Sequence, residues 1–135
     1  MELPRRYADA IIQHALEESP NECCGILAAQ GERFVKHYRM TNMERSPYRY
    51  SMDGKELLAA YHEIEDSGWE LRVIYHSHTH SPAYPSATDV RLATWPEARY
   101  VLVSLQDPAR PDIRAFTIAD EQVAEEPVAI VDEPA

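Results

Sequence analysis

The stretch His76-Ser-His78-Thr-His80-Ser-Pro-Ala-Tyr-Pro-Ser86-Ala-Thr-Asp89 holds the densest set of metal-ligating side chains in the sequence. On an extended strand, residues two apart project from the same face. His76 and His78 can therefore aim two imidazoles at one point. Asp89 follows eleven residues after His78, beyond a proline-containing loop and at the start of a helical segment. A carboxylate is electrostatically favoured at such a start. Two histidines and one aspartate supply three ligands and leave a fourth position for water. That is the layout of a catalytic zinc site, as opposed to a closed structural one. The same donors suit non-haem iron, so spacing alone leaves the metal open. The readings without chemistry are a satisfied core histidine, which accounts for one such residue better than for two in alternation, and a surface cluster.

Such ligands need a frame. Residues 71–75 form an apolar strand that runs straight into His76. Ser86 opens a short helix to about Thr94, and Trp95-Pro96 stops it. Residues 100–106 read as a nearly continuous apolar strand, buried on both faces. Upstream, residues 5–18 have helical spacing, with Pro4 suited to the first turn. Residues 24–29 and 33–39 form a hairpin around Gln30-Gly31. A polar loop covers residues 41–47, and residues 48–52 read as another strand. Asp53 is an N-cap with Glu56 completing a capping box, and a second helix covers residues 55–66. Residues 113–118 and 121–131 close the pattern as strands. The order predicts an α/β fold: one mixed β-sheet flanked by helices.

Composition narrows the function. A chain of 135 residues matches one domain, expected here over residues 1–135, with an acidic segment from about residue 120. It is too short for a (β/α)₈ barrel, which needs about 250 residues. With 44% hydrophobic and 27% charged residues, it is neither disordered nor fibrous. The net charge of −10 argues against nucleic acid, because phosphate binding needs clustered Lys and Arg. Six acids and no base fall in the last sixteen residues, which reads as a solvated terminus. No apolar run has membrane-spanning length, and no apolar core of a signal peptide follows Met1. A cytoplasmic location without membrane contact is therefore expected. Cys23 and Cys24 are adjacent, so on a strand they face opposite ways and form neither a disulfide nor a shared metal site.

The His-rich stretch resembles the JAMM (MPN-plus) metallopeptidases, whose pattern is His-x-His, seven residues, Ser, two residues, Asp, with a glutamate upstream. Counting from His76, every position matches: His76, His78, Ser86 and Asp89. Counting from His78 puts Thr88 and Arg91 where Ser and Asp belong, so His80 falls outside the pattern. The upstream glutamate matches Glu22, in Pro20-Asn-Glu22-Cys-Cys-Gly25. Asn42-Met-Glu-Arg45-Ser46-Pro47, Tyr100-Val-Leu-Val-Ser104 and Glu125-Glu126-Pro127-Val128 are similar to the actinobacterial Mec type, the CysO-cysteine peptidases. The resemblance implies a single MPN domain with a cytidine-deaminase-like α-β-α layering. It implies zinc held by His76, His78 and Asp89, with Glu22 as general base and then acid and Ser86 stabilising the oxyanion. Ser86 also fits a plain helix cap.

The implied substrate is a small ubiquitin-like sulfur-carrier protein ending in Gly-Gly and joined by an amide to cysteine, which the enzyme would release. Arg45 or Ser46 is expected to engage the carrier tail or the cysteine carboxylate. Three rivals stand beside this reading. One is an isopeptidase that removes ubiquitin-like proteins from lysines. Another is a non-catalytic MPN module, disfavoured by the complete ligand set. The third is an iron oxygenase. Monomer and homodimer are both compatible with the sequence.

Overall fold

The computed structural model describes residues 1–133. Strand β1 (Glu2–Pro4) leads directly into helix α1 (Arg5–Glu18), whose N-cap is Pro4. Tyr7, Ala8, Ile11 and Ala15 make its buried stripe, the 3.6-residue pattern of an amphipathic helix. The predicted hairpin forms from β2 (Cys24–Gln30) and β3 (Arg33–Met40), turning through Gly31 at a φ of 61°. Helix α2 (Gly54–Asp66) follows, then β4 (Glu70–His78), α3 (Ala87–Leu92) and β5 (Arg99–Ser104). Strands β6 (Asp112–Ala119), β7 (Gln122–Glu126) and β8 (Ala129–Val131) end the described chain.

Six strands form one mixed sheet in the order β3-β2-β4-β5-β6-β7. All neighbours are antiparallel except β4 and β5, which run parallel from Val73↔Arg99 to His78↔Ser104. A parallel pair cannot be closed by a tight turn and needs a crossover. Here the crossover carries α3, and it therefore passes over the carboxyl end of β4. Helix α1 covers one face of the sheet, where Ile11 and Ala15 pack with Leu27, Val73, Tyr75, Val101 and Val103. On the other face Ala60 and Ile64 of α2 pack on Cys24, Ile26 and Ala28, while Val90 and Ala93 lie over Ile74, Leu102 and Phe116. The result is the expected α-β-α layering. Cys23 and Cys24 are free and buried, and they pack on opposite faces.

Three expectations need correction and a fourth is refined. Residues 48–52 form no strand and make only an isolated bridge, Asn42↔Met52. Tyr50 and Met52 pack inward, but no partner strand lies alongside, so the segment stays a held loop. Asp53 caps Lys55 and Glu56 as expected, but Glu56 does not close a capping box. Its carboxylate accepts instead from the Thr41 N–H, at 2.6 Å, and from the Thr41 hydroxyl. The expected strand over 121–131 is broken at Pro127, which cannot donate to a ladder. Its second half, β8, pairs in parallel with β1, so a separate two-stranded sheet accompanies the main one. Finally, the acidic segment is largely exposed, as expected, but it is tied down: half-buried Glu126 pairs with Arg99, and at the surface Asp132 pairs with Arg5 and Glu133 with Arg6.

Candidate metal centre

Register does most of the positioning. Strand β2 pairs with β4 so that Cys24 lies opposite His76. Continuing that register two residues past the strand's start brings Glu22 toward His78, whose charge it feels. The intervening pair is locked twice, because the Ser77 N–H donates to the Cys23 carbonyl at 3.2 Å and the Cys23 N–H to the Ser77 hydroxyl at 2.8 Å. Side-chain alternation then turns His76 and His78 to the α2–α3 face and leaves Ser77 and Tyr75 on the other.

Asp89 arrives from above on α3. Here a full capping box does form: the Asp89 N–H donates to Ser86 Oγ at 3.1 Å, and the Ser86 N–H donates to Asp89 Oδ2 at 2.9 Å. The box fixes the carboxylate as well as the helix start. Asp89 Oδ2 lies 3.0 Å from both His76 Nε2 and His78 Nε2, and the two nitrogens are 3.2 Å apart. Bonds of about 2.0–2.1 Å at a tetrahedral angle set zinc ligands roughly 3.3 Å from one another. The three donor atoms thus fit a small tetrahedral cation. Their side chains are only 2–8% exposed, so such an ion would sit largely out of bulk water.

The two imidazoles are held by different means. His78 Nδ1 lies 2.9 Å from the Pro82 carbonyl, which can only accept. Nδ1 therefore carries a proton, and Nε2, which faces Asp89, is the atom left to take a metal once its own proton is displaced. His76 is held differently. Its Nδ1 has no hydrogen-bond partner among the described residues, and the Tyr50 ring stacks on its imidazole at 4.5 Å and 27°. Burial lowers the His76 pKa and so favours the neutral, ligating form. Burial opposes charge on Asp89 as well, but hydrogen bonds to His76 and His78 outweigh it and hold the carboxyl below the usual range.

Glu22 is buried, with 3% exposure, and its Oε1 has no partner. Its backbone is pinned on both sides: the N–H donates to the Ser46 carbonyl at 2.9 Å, and the carbonyl accepts from Asn42 Nδ2 at 2.9 Å. Desolvation, reinforced by Asp89 and opposed by His78, pushes its pKa up to about 8. A carboxyl that titrates near neutrality beside a metal cradle is suited to move protons.

The loop residues divide. Ser46 Oγ accepts from the Tyr48 N–H at 3.0 Å, so its clearest link to the centre is its carbonyl on Glu22. Arg45, at a φ of 47°, lines a cavity of about 330 Å³ with His14, Glu18 and Arg39. The cleft that touches Asp89, about 200 Å³, is walled by Arg49, Tyr50, Met52, Thr88 and Leu92 instead. His80 is exposed and meets Tyr48 edge-on at the rim, outside the ligand set. Sequence reasoning missed Asn42, Tyr50 and the Pro82 carbonyl. Asn42 lies in the loop motif already noted, but nothing local marks its side chain as a hub. It accepts from the Glu44 and Ser51 N–H groups and donates to the Glu22 and Arg49 carbonyls.

A His-His-Asp cradle at the carboxyl end of a strand, beside a buried carboxyl with one unpartnered oxygen, is an arrangement suited to metal-assisted hydrolysis. The chain belongs to the prokaryotic homologs of the JAB domain (Prok-JAB), the JAB/MPN fold of the JAMM peptidases, which it matches over residues 4–119. It is 47% identical over 127 residues to the CysO-cysteine peptidase of Mycobacterium tuberculosis, covering 93% of this chain and 87% of that one. It is 33% identical over 103 residues to a desampylase of Haloferax volcanii, covering 71% and 74%. A solution structure of a Desulfitobacterium hafniense protein superposes with a TM-score of 0.85 at 34% identity, over 98% of this chain and 93% of that one. Family and named relatives make the chain a peptidase-class hydrolase. No described helix is long and apolar enough to cross a membrane.

Proposed function

We propose that the protein is a zinc-dependent peptidase that cuts the amide after the Gly-Gly terminus of a ubiquitin-like sulfur-carrier protein and releases cysteine. The observation that carries the chemistry is the convergence of His76, His78 and Asp89 within 3.0–3.2 Å, next to a buried Glu22 with a free carboxylate oxygen. The likeness to the CysO-cysteine peptidase over nearly the whole chain supports the substrate. Two free, buried cysteines fit a reducing cytoplasm.

His76 Nε2, His78 Nε2 and Asp89 would hold the zinc. When bound, the ion lowers the pKa of water to about 7 and polarises the scissile carbonyl. Glu22 takes the proton of the attacking water on its unpaired oxygen and delivers it to the leaving amine. Ser86 serves two ends at once. Its Oγ lone pair accepts from the Asp89 N–H, which leaves the hydroxyl proton free to donate to the developing oxyanion. One such donor is typically worth about 10²–10³ in rate. The carrier tail would enter along the loop that holds Arg45 and Ser46, with Arg49 nearest the cleft.

Metal content by mass spectrometry, on the native protein beside Asp89→Ala, tests the centre. About one zinc per chain, lost in the variant, is expected. The substrate is tested by offering carrier-cysteine and carrier-lysine conjugates. Cleavage of the lysine conjugate alone would move the assignment to an isopeptidase. A native protein that takes up no metal would overturn the peptidase mechanism.

A further inference from the structure

The two histidines of the cradle are oriented by different means, and the difference has a functional reading. A metal-ligating histidine usually donates its second ring nitrogen to a carbonyl or carboxylate, which sets the ring plane. His78 does this through Pro82, at 2.9 Å. His76 does not: its Nδ1 is buried and has no partner among the described residues. The torsion that turns an imidazole about its Cβ–Cγ bond is broad and weakly restrained by itself. Something else must fix that plane, because the direction of Nε2 depends on it. The Tyr50 ring lies on the imidazole at 4.5 Å and 27°, close enough to parallel to act as a wall.

Tyr50 is itself held with unusual care for a loop residue. The Asn42 side chain donates to the carbonyl of Arg49 at 3.1 Å and accepts from the N–H of Ser51 at 3.1 Å, bracketing residue 50. The Met43 N–H donates to the Ser51 carbonyl at 2.8 Å, and Met52 bridges to Asn42. The same Asn42 amide bonds the Glu22 carbonyl at 2.9 Å. One buried side chain therefore sets the relative positions of the proton-transfer carboxyl and the ring on His76.

We propose that Tyr50 is the positioning residue of His76, fixing its imidazole plane by stacking in place of the missing hydrogen bond. This rests on the reading of His76 as a metal ligand. A ligated imidazole carries partial positive charge, and an aromatic face attracts such charge. The stack therefore strengthens as metal binds. The ring does the work, and the phenol oxygen does not enter.

The test is Tyr50→Phe beside Tyr50→Leu, with zinc affinity measured by chelator competition and the visible spectrum of the cobalt-substituted protein as second readout. Leu keeps apolar volume but removes the flat ring. An aromatic stack lost at one ligand is expected to weaken zinc roughly threefold to tenfold. The Leu variant should also shift the cobalt bands, while the Phe variant should match the native protein in both readouts. Circular dichroism of the metal-free variants checks folding, and the Phe protein keeps the test open should Leu unfold. Native metal affinity and an unchanged cobalt spectrum in the Leu variant would overturn the role of Tyr50 alone. A Phe variant as impaired as Leu would overturn it too, by assigning the effect to the hydroxyl. A native protein that binds neither metal would overturn the ligand reading itself, and this inference with it.

Discussion

Glu22→Gln separates the chemistry of the site from its stability. The carboxyl sits at 3% exposure with Oε1 unpaired, and its pKa is pushed from the usual 4.5 to about 8. The unfolded chain ionises near 4.5, so below that pH both states are protonated and no penalty exists. Between pH 4.5 and about 8 the unfolded state releases a proton that the folded, metal-free state retains. Stability is therefore full at low pH and falls as pH rises through this window. Each unit is worth about 1.36 kcal/mol, which puts the loss at neutral pH on the order of 3 kcal/mol. Glutamine has nearly the same shape and no charge to bury. In chelator-treated protein, Glu22→Gln should melt higher than native by roughly 5–10 °C at pH 7–8. The difference should vanish near pH 4.5. Bound zinc compensates the carboxylate charge and should shrink the gap. The same substitution should lower kcat by about 10²–10⁴ with zinc content unchanged. Melting curves from pH 4.5 to 8.5, with and without chelator, decide the matter. A difference that stays constant across that range, or a variant less stable than native at pH 8, would refute the desolvation argument.

Other expectations follow from the same geometry. Ser86→Ala removes both the cap and the oxyanion donor, so it should reduce kcat by about 10²–10³ and stability by about 1 kcal/mol, read by kinetics and melting. Asn42→Ala strips four hydrogen bonds from a buried side chain; a loss of roughly 2–4 kcal/mol in denaturant stability is expected, together with lower kcat. A Cβ at Gly25 would meet the Tyr75 ring at 2.4 Å, so Gly25→Ala should destabilise by more than about 1 kcal/mol and disturb the Tyr75 bonds to His14 and His37. Arg49→Ala should raise KM for a carrier conjugate; if Arg45→Ala leaves KM unchanged, Arg45 does not contact the substrate.

Local pattern was enough to read much of this molecule. The helix at α1, the hairpin of β2 and β3, the buried β5 and the short α3 each follow from periodicity and punctuation within one segment. The three candidate ligands were legible because a strand fixes the i, i+2 relation and a capping box fixes Asp89 to Ser86. Those are local constraints. Glu22 was different: among 23 acids only the family spacing marked it. Its place just ahead of β2 and near His78 follows from the antiparallel register of β2 on β4, two segments about fifty residues apart in the chain.

Whatever depended on long-range pairing stayed hidden. The stretch from 48 to 52 reads as a strand by composition, yet no partner strand lies beside it, and the Asn42 side chain holds it as a loop. The acidic terminus is exposed as its composition suggests, but its ion pairs stayed hidden because Arg5, Arg6 and Arg99 are distant in sequence. The stack of Tyr50 on His76 has no sequence signature at all. Residue type and spacing determine which groups are available and which way a single strand or helix turns them. Tertiary structure decided which groups meet and which are left unpaired, because desolvation and contact depend on segments the chain brings together only on folding.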